Sequence, residues 1–532
     1  MDCSNRFDSF EKIINNCEYN INTIFDKSNL TEDSLKYVEY LLDSNIYNKK
    51  EPVKTCYVKY IYEIISRFQQ ILDQFVIKTK KKKEYNNKKT KFNRLFYLIS
   101  YLYNNKDIDP TYYNLLKKSF SNNEDTIAAD NICKKLKDLH NNYNSEYINN
   151  VLIWFNFKGI QFHKNLANVI RDSSDKFIRE LFNTDVIKKI YNSYPSIFVQ
   201  NEIEQKKYDL YNYTTYFTVY NSNKDKLEYI LNLDITQKIN KKIKYFIAFS
   251  LLLSVLVENT NNVNILCIKS LQKKKFPDSF KTLGANEVNS GFTKFDYNGD
   301  NNITIYRDEE KYKLVIHECI HSLNLDIHGE NCDNIHNWLK EHFLIKKDSK
   351  ILINECYVEL WAVFINSILS AHLICPQYVL CTIIYIIYLE KLFSCFQSAR
   401  ILNFYGFNSF QEFYNENGWT NSNINNIKYS EDSSVLSYYI IKSSILFSIN
   451  NFLDYCNDNS NGTFKDFIKF KYYSLNNFLK LIKNSLNNSE FQKIINKFII
   501  KIKKDKNKQK YKEIYKKFNS LRMTIIECKK IK

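Results

Sequence analysis

Glycine and proline are scarce, 8 and 5 in 532 residues. A chain this poor in both is not dense in tight turns, and long helices are the expectation. Thirteen cysteines include no CxxC pair and form an odd set. That excludes a regularly spaced disulfide framework, and reduced thiols in an intracellular compartment are expected. The opening MDCSNRFDSFEKII is polar and acidic, unlike a secretory signal. Residues 362–389 are very apolar but broken by Asn366, His372, Pro376 and Gln377. The cleanest run, 379–389, falls short of the roughly 20 residues that cross a bilayer, so two buried helices split at Pro376 are expected and no membrane span. No repeat recurs at a fixed period, and no nucleic-acid module is recognisable.

What is abundant is Asn, Lys, Ile and Tyr, with 41 tyrosines. This bias resembles AT-rich coding sequence, as in some large DNA viruses and some protists. Hydrophobic content of 44% is ordinary for a globular protein. Lysine and arginine number 76 against 58 acidic residues, a net charge of +18. Such a surplus suits an acidic partner or nucleic acid, and two segments concentrate it: residues 78–91 (KTKKKKEYNNKKTK) and 501–517. The plainer reading of 78–91 is a solvated, flexible loop, while 501–517 reads as a surface helix, a tail or an anchor on an acidic partner.

The chemistry lies in residues 311–361. His317-Glu318-Cys319-Ile320-His321 is an HExxH motif. On a helix, residues four apart lie about 40° from each other around the axis, so the two imidazoles share a face and can hold one metal ion. Glu318 sits one step round, within reach of a water on that metal. Five of the eight histidines (317, 321, 328, 336 and 342) fall within 26 residues, which weighs against a mere polar helix face. A second acidic motif follows, Asn354-Glu355-Cys356-Tyr357-Val358-Glu359. Cys319 and Cys356 beside these positions read as small apolar fillers, and His336 and His342 as solvated helix positions.

The two motifs together resemble the zincin metallopeptidases, in particular gluzincins such as thermolysin and the zinc aminopeptidases. The resemblance implies a Zn2+ ion held by His317, His321 and Glu355, with Glu318 as general base. It implies a supporting role for Glu359, which would accept the N–H of His317 or His321. Residues 33 in number separate His321 from Glu355, more than in the closest families, and the excess is read as a loop at 328–350. Glu359, His328 and Asp326 stay open as alternative third ligands. The resemblance further implies an oxyanion-stabilising residue in the lower subdomain, for which Tyr438, Tyr439 and Arg400 are candidates. It also implies a sheet edge that pairs with an extended peptide; residues 284–291 (GANEVNSG) or the strand after them are the candidate edge.

The expected fold is α+β, mainly α, with a zincin-like domain. Residues 1–205 read as a helical N-terminal region, 206–345 as an upper subdomain with a mixed sheet and the HExxH helix, 346–480 as a helical lower subdomain, and 481–532 as a basic helical tail. Strands are expected at 208–220, 227–235, 264–269, 286–295 and 303–307, and an apolar helix at 241–257. The expected function is zinc-dependent hydrolysis of peptide bonds in a peptide or protein substrate. The alternative is a non-catalytic structural or interaction protein, such as a virion component, that keeps the fold and binds partners through its basic surface. An intracellular, cytoplasmic location, with association to a virion, goes with either.

Overall fold

The computed structural model describes residues 30–84, 209–220, 225–268, 273–277, 282–295, 301–327, 332–346, 349, 351–419, 428–458, 460–506 and 519–528. The chain divides at 83 and 210, and the elements below belong to the unit formed by the chain on either side of that insertion.

Two helices come first, α1 (Glu32–Asp43) and α2 (Val58–Gln74). Thr31 caps α1 by accepting the Ser34 amide on its side chain, the usual way to satisfy an orphan N–H at a helix start. Strand β1 (Val76–Glu84) follows, then β2 (Asp209–Tyr220) and β3 (Lys226–Ile235). Helix α3 (Lys241–Leu256) leads to β4 (Val263–Cys267). A four-residue helix α4 (Ala285–Val288) precedes β5 (Gly291–Phe295) and β6 (Asn301–Ile305). One sheet results, in the order β1-β2-β3-β4-β6-β5. Strands β3, β4 and β6 run parallel, while β2 and β5 are antiparallel to their neighbours β3 and β6.

Alternation explains which face is covered. Leu231, Leu233, Ile235, Val263, Ile265, Ile303 and Ile305 are buried, whereas the intervening positions on the other face are polar. There Thr214 donates to Asn232 at 3.1 Å, and Asn232 donates to Asn264 at 2.9 Å, a ladder across three strands. Helix α3 is apolar all round because it is enclosed on every side, and it packs Phe249 edge-on against Phe68 of α2 at 5.1 Å.

The helical layer continues with α5 (Lys311–Ser322), α6 (Asp333–His342), α7 (Asn354–Ile374) and α8 (Val379–Phe404). After a π-helical stretch, Leu436–Ile441, come α9 (Lys442–Phe447), α10 (Ile449–Asp458), α11 (Leu475–Leu486) and α12 (Ser489–Lys506). Helix α7 and the stretch 376–404 are long and apolar enough to cross a membrane, yet their apolar windows are 89% and 94% buried inside the protein. The break at Pro376 is where the sequence puts it.

Several expectations change. Residues 286–288 are helical rather than strand, because Glu287 folds back to accept the Gly284 amide at 3.0 Å and closes a turn. Residues 76–84 of the lysine run form the edge strand β1 instead of a loop, and 85–91 lie outside the described residues. The spacer at 328–350 is not all loop: it contains α6, and Phe343 and Ile345 bridge to Tyr414 and Tyr429. Among the described residues nine cysteines are free, but Cys381 is disulfide-bonded, against the expectation of thiols throughout.

The basic tail is corrected most. Of 501–517 only 501–506 are described, as the last turns of α12. Beyond it the chain returns to the core as an extended segment in which Leu521, Arg522, Met523, Thr524, Ile525 and Ile526 are buried. Its backbone amides are taken by two buried carboxylates. Glu310 accepts from Met523 (2.7 Å) and Thr524 (2.6 Å), and Glu390 of α8 accepts from Ile525 (3.1 Å) and Ile526 (3.2 Å).

Candidate metal centre

Helix α5 starts on Glu310, a residue with φ +60°. The left-handed conformation is unfavourable for a side chain of this size, and the surroundings fix it. The Glu310 carboxylate is held by Lys274 at 3.0 Å and by the two amides of the returning segment. From this anchor α5 runs against β5, β6 and α7. Cys319, as expected, is a buried filler, its thiol 3.5 Å from the Ser250 carbonyl of α3.

One turn of α5 and the first turn of α7 meet at His317, His321 and Glu355. The His317 and His321 Nε2 atoms are 3.3 Å apart. Glu355 Oε2 lies 3.2 Å from His317 Nε2 and 3.4 Å from His321 Nε2. The three atoms thus form a nearly equilateral triangle. A tetrahedral ion with bonds of about 2.0–2.1 Å spaces its ligands about 3.3–3.4 Å apart, the same edge length.

The other ring nitrogens say which lone pairs converge. His317 Nδ1 faces Glu359 Oε2 at 3.0 Å, and His321 Nδ1 faces Asp326 Oδ2 at 2.7 Å. A carboxylate accepts only, so each Nδ1 carries its hydrogen and each Nε2 directs a lone pair at the centre. Glu355 Oε2 is buried against the two Nε2 atoms. Two lone pairs and a carboxylate oxygen packed this closely repel unless a proton or a cation lies among them. The donor set fits a divalent metal ion.

The charges packed around the triad move its pKa values in opposite directions. Burial opposes charge on His317, but hydrogen bonds to Glu355 and Glu359 carry its pKa above the ordinary value. His321 goes further up, against burial, through Glu355 and Asp326. Burial would raise Glu355, yet the two histidines hold it well below the usual carboxylate range. Glu359 is likewise held down to about 2, against burial, chiefly by Lys313.

Glu318 points to the β5 side. Thr293 places its hydroxyl 2.7 Å from Glu318 Oε2 and 3.0 Å from the Glu318 carbonyl. Gly291 leaves the room: a Cβ there would stand 3.2 Å from Glu318 Oε1 and 2.9 Å from the Thr304 carbonyl. Burial raises the Glu318 pKa, with the neighbouring histidines pulling the other way. Among the described strands β5 is also an edge of the sheet, so the strand after 284–291, rather than that stretch itself, is the edge beside Glu318.

Of the remaining candidates, Tyr438 is at the site. Its ring centroid lies 6.1 Å from that of His317, and burial with the charges of Glu355 and Glu318 pushes its phenol well above the ordinary pKa. It sits on the π-helical stretch, a local irregularity often found at functional sites. Tyr439 is turned away, its buried hydroxyl donating to the Leu521 carbonyl. Arg400 is also elsewhere, donating to Gln397 at 2.6 Å and to the Ser520 carbonyl at 2.8 Å. Among the alternative ligands, Glu359 and Asp326 each bind the far nitrogen of a histidine, and His328 lies outside the described residues. His336 and His342 are half-buried rather than solvated, and His342 stacks on Trp338 at 4.2 Å. Motif reading missed Thr293 and Lys313, and named Asp326 only as an alternative ligand, not as the partner of His321 Nδ1. The signal available for Lys313 was its place four before His317, on the same helix face.

No protein-family profile and no solved structure matches the chain. The chain is similar to "Uncharacterized protein R210" of Acanthamoeba polyphaga mimivirus, 28% identical over 250 residues, which is 46% of this chain and 58% of that protein. The match thus spans little more than half of that relative. Its viral source agrees with the bias in composition.

Proposed function

We propose that the protein is a zinc-dependent peptidase. The observation that carries the reading is the triangle of His317 Nε2, His321 Nε2 and Glu355 Oε2, with Glu318 beside it. Two imidazoles and one carboxylate are a donor set that zinc takes at catalytic centres with a fourth position open to water. A bound zinc ion would acidify that water and polarise a carbonyl. Glu318, seated by Thr293, takes the water proton and passes it to the leaving amine. Tyr438, the phenol nearest the triad among the candidates, donates to the oxyanion as it develops. An extended substrate lies along β5, bonding its backbone to that edge.

Zinc per chain by elemental analysis, together with hydrolysis of a mixed peptide library, tests this. The wild type is expected to hold about one zinc and to cleave peptides. Glu355→Ala should lose most of the metal, and Glu318→Gln should keep the metal and lose hydrolysis. Substantial hydrolysis by Glu318→Gln would sink the mechanism. A zinc-loaded wild type that cleaves nothing would favour the reading as a non-catalytic interaction protein.

A further inference from the structure

Glu359 holds His317, and something must hold Glu359. Its carboxylate is fully buried, and an unanchored carboxylate can rotate and lose the ring it orients. The anchor is Lys313, on α5 four residues before His317. The Lys313 ammonium lies 2.8 Å from both Glu359 oxygens. An ammonium has three donors, and the third meets Met523 Sδ at 3.8 Å. Met523 is itself pinned on both sides. Its amide donates to Glu310 at 2.7 Å, and its carbonyl accepts from the buried Lys442 at 3.1 Å. A continuous set of contacts therefore runs from the returning segment through Lys313 and Glu359 to a ligand of the centre. Among the described residues of that segment, no hydrogen bond or ion pair is made to the triad.

We propose that Lys313 is a positioning residue of the metal centre: it fixes the Glu359 carboxylate and thereby the His317 ring, and Met523 completes its seat. The inference rests on the metal-site reading above. It predicts that metal affinity depends on residues that never contact the metal. Loss of such a supporting partner typically lowers metal affinity about 10- to 100-fold.

The test is zinc affinity of the full chain, by competition with a chromophoric chelator, plus the visible spectrum of the cobalt-substituted protein as a report on ligand geometry. Lys313→Met is expected to weaken zinc binding about 10- to 100-fold and to alter the cobalt spectrum. In a Glu359→Gln background the same substitution should have little further effect, since Lys313 acts through Glu359. That double variant removes both buried charges together, a change that is often neutral for folding, so the comparison survives if Lys313→Met alone does not fold. Met523→Ala should weaken zinc several-fold with both charges intact. Wild-type affinity in Lys313→Met, or an equal loss with and without Glu359, would overturn the inference while leaving the metal site standing. Unchanged affinity in Met523→Ala would remove the returning segment from it. A wild type that binds no zinc would overturn the metal reading itself.

Discussion

At the scale of single residues, the site depends as much on what is small as on what is charged. Gly291 allows β5 to pass directly under Glu318. Gly291→Ala would bring a methyl group within 2.9 Å of the Thr304 backbone carbonyl, and backbone cannot swing aside as a side-chain end can. The strand must shift, at a cost of about 1–3 kcal/mol. The ligand triangle lies on α5 and α7, so the expected outcome is retained zinc with hydrolysis reduced at least tenfold. Equal losses of metal and activity would show that β5 supports the ligands and not the base. The clustering of His317, His321 and Glu355 was legible in the sequence because helical spacing alone brings the two histidines together, and Glu355 follows in a recognisable motif. Lys313, Thr293 and the pairing of Asp326 with His321 were not, because hydrogen bonding to a site across a fold leaves no local periodicity.

At the scale of elements, α7 carries Glu355 and Glu359 in its first two turns and is clamped further along. Trp361, fully buried, meets Phe364, Phe452, Phe464 and Phe467 with ring centroids 5.1–6.3 Å apart. Trp361→Ala should cost about 3–5 kcal/mol, read as a lower midpoint in urea unfolding with unchanged slope. A loss below about 1 kcal/mol would mean that the aromatic nest collapses onto the gap. Elements with a strong pattern were readable beforehand: β3 from its apolar run over 227–235, and α3, α7 and α8 from apolar length and the proline between the last two. Strand β1 was hidden because lysine at an edge suits solvent as well as it suits a loop. The turn at 285–288 was hidden because one capping interaction outweighed the strand-like run after it.

At the scale of the whole molecule, buried ionisable groups couple stability to pH. Glu431 is buried where the chain enters the π-helical stretch, accepting from Tyr429 and from the Leu436 amide, both at 2.6 Å. Burial raises its pKa to about 8, from an ordinary value of 4.5. The folded state therefore holds this proton more tightly than the unfolded chain. The resulting stability is complete below pH 4.5 and is lost as pH rises to about 8. Glu431→Gln should flatten that part of the profile, so urea midpoints at pH 5 and 8.5 should differ less in the variant than in the wild type. An identical pH profile in the two proteins would show that other groups set the slope.

The returning segment has a consequence in time. Met523 is made roughly 200 residues after His317, and at typical rates of synthesis that interval is about 10–40 s. Once Glu355 has followed, a nascent chain owns all three proposed ligands, and for the rest of that interval it lacks the piece that seats Lys313. On the metal-site and peptidase readings proposed above, a half-made molecule would bind metal poorly, and any hydrolysis would have to wait until the last layer of the core has been laid down.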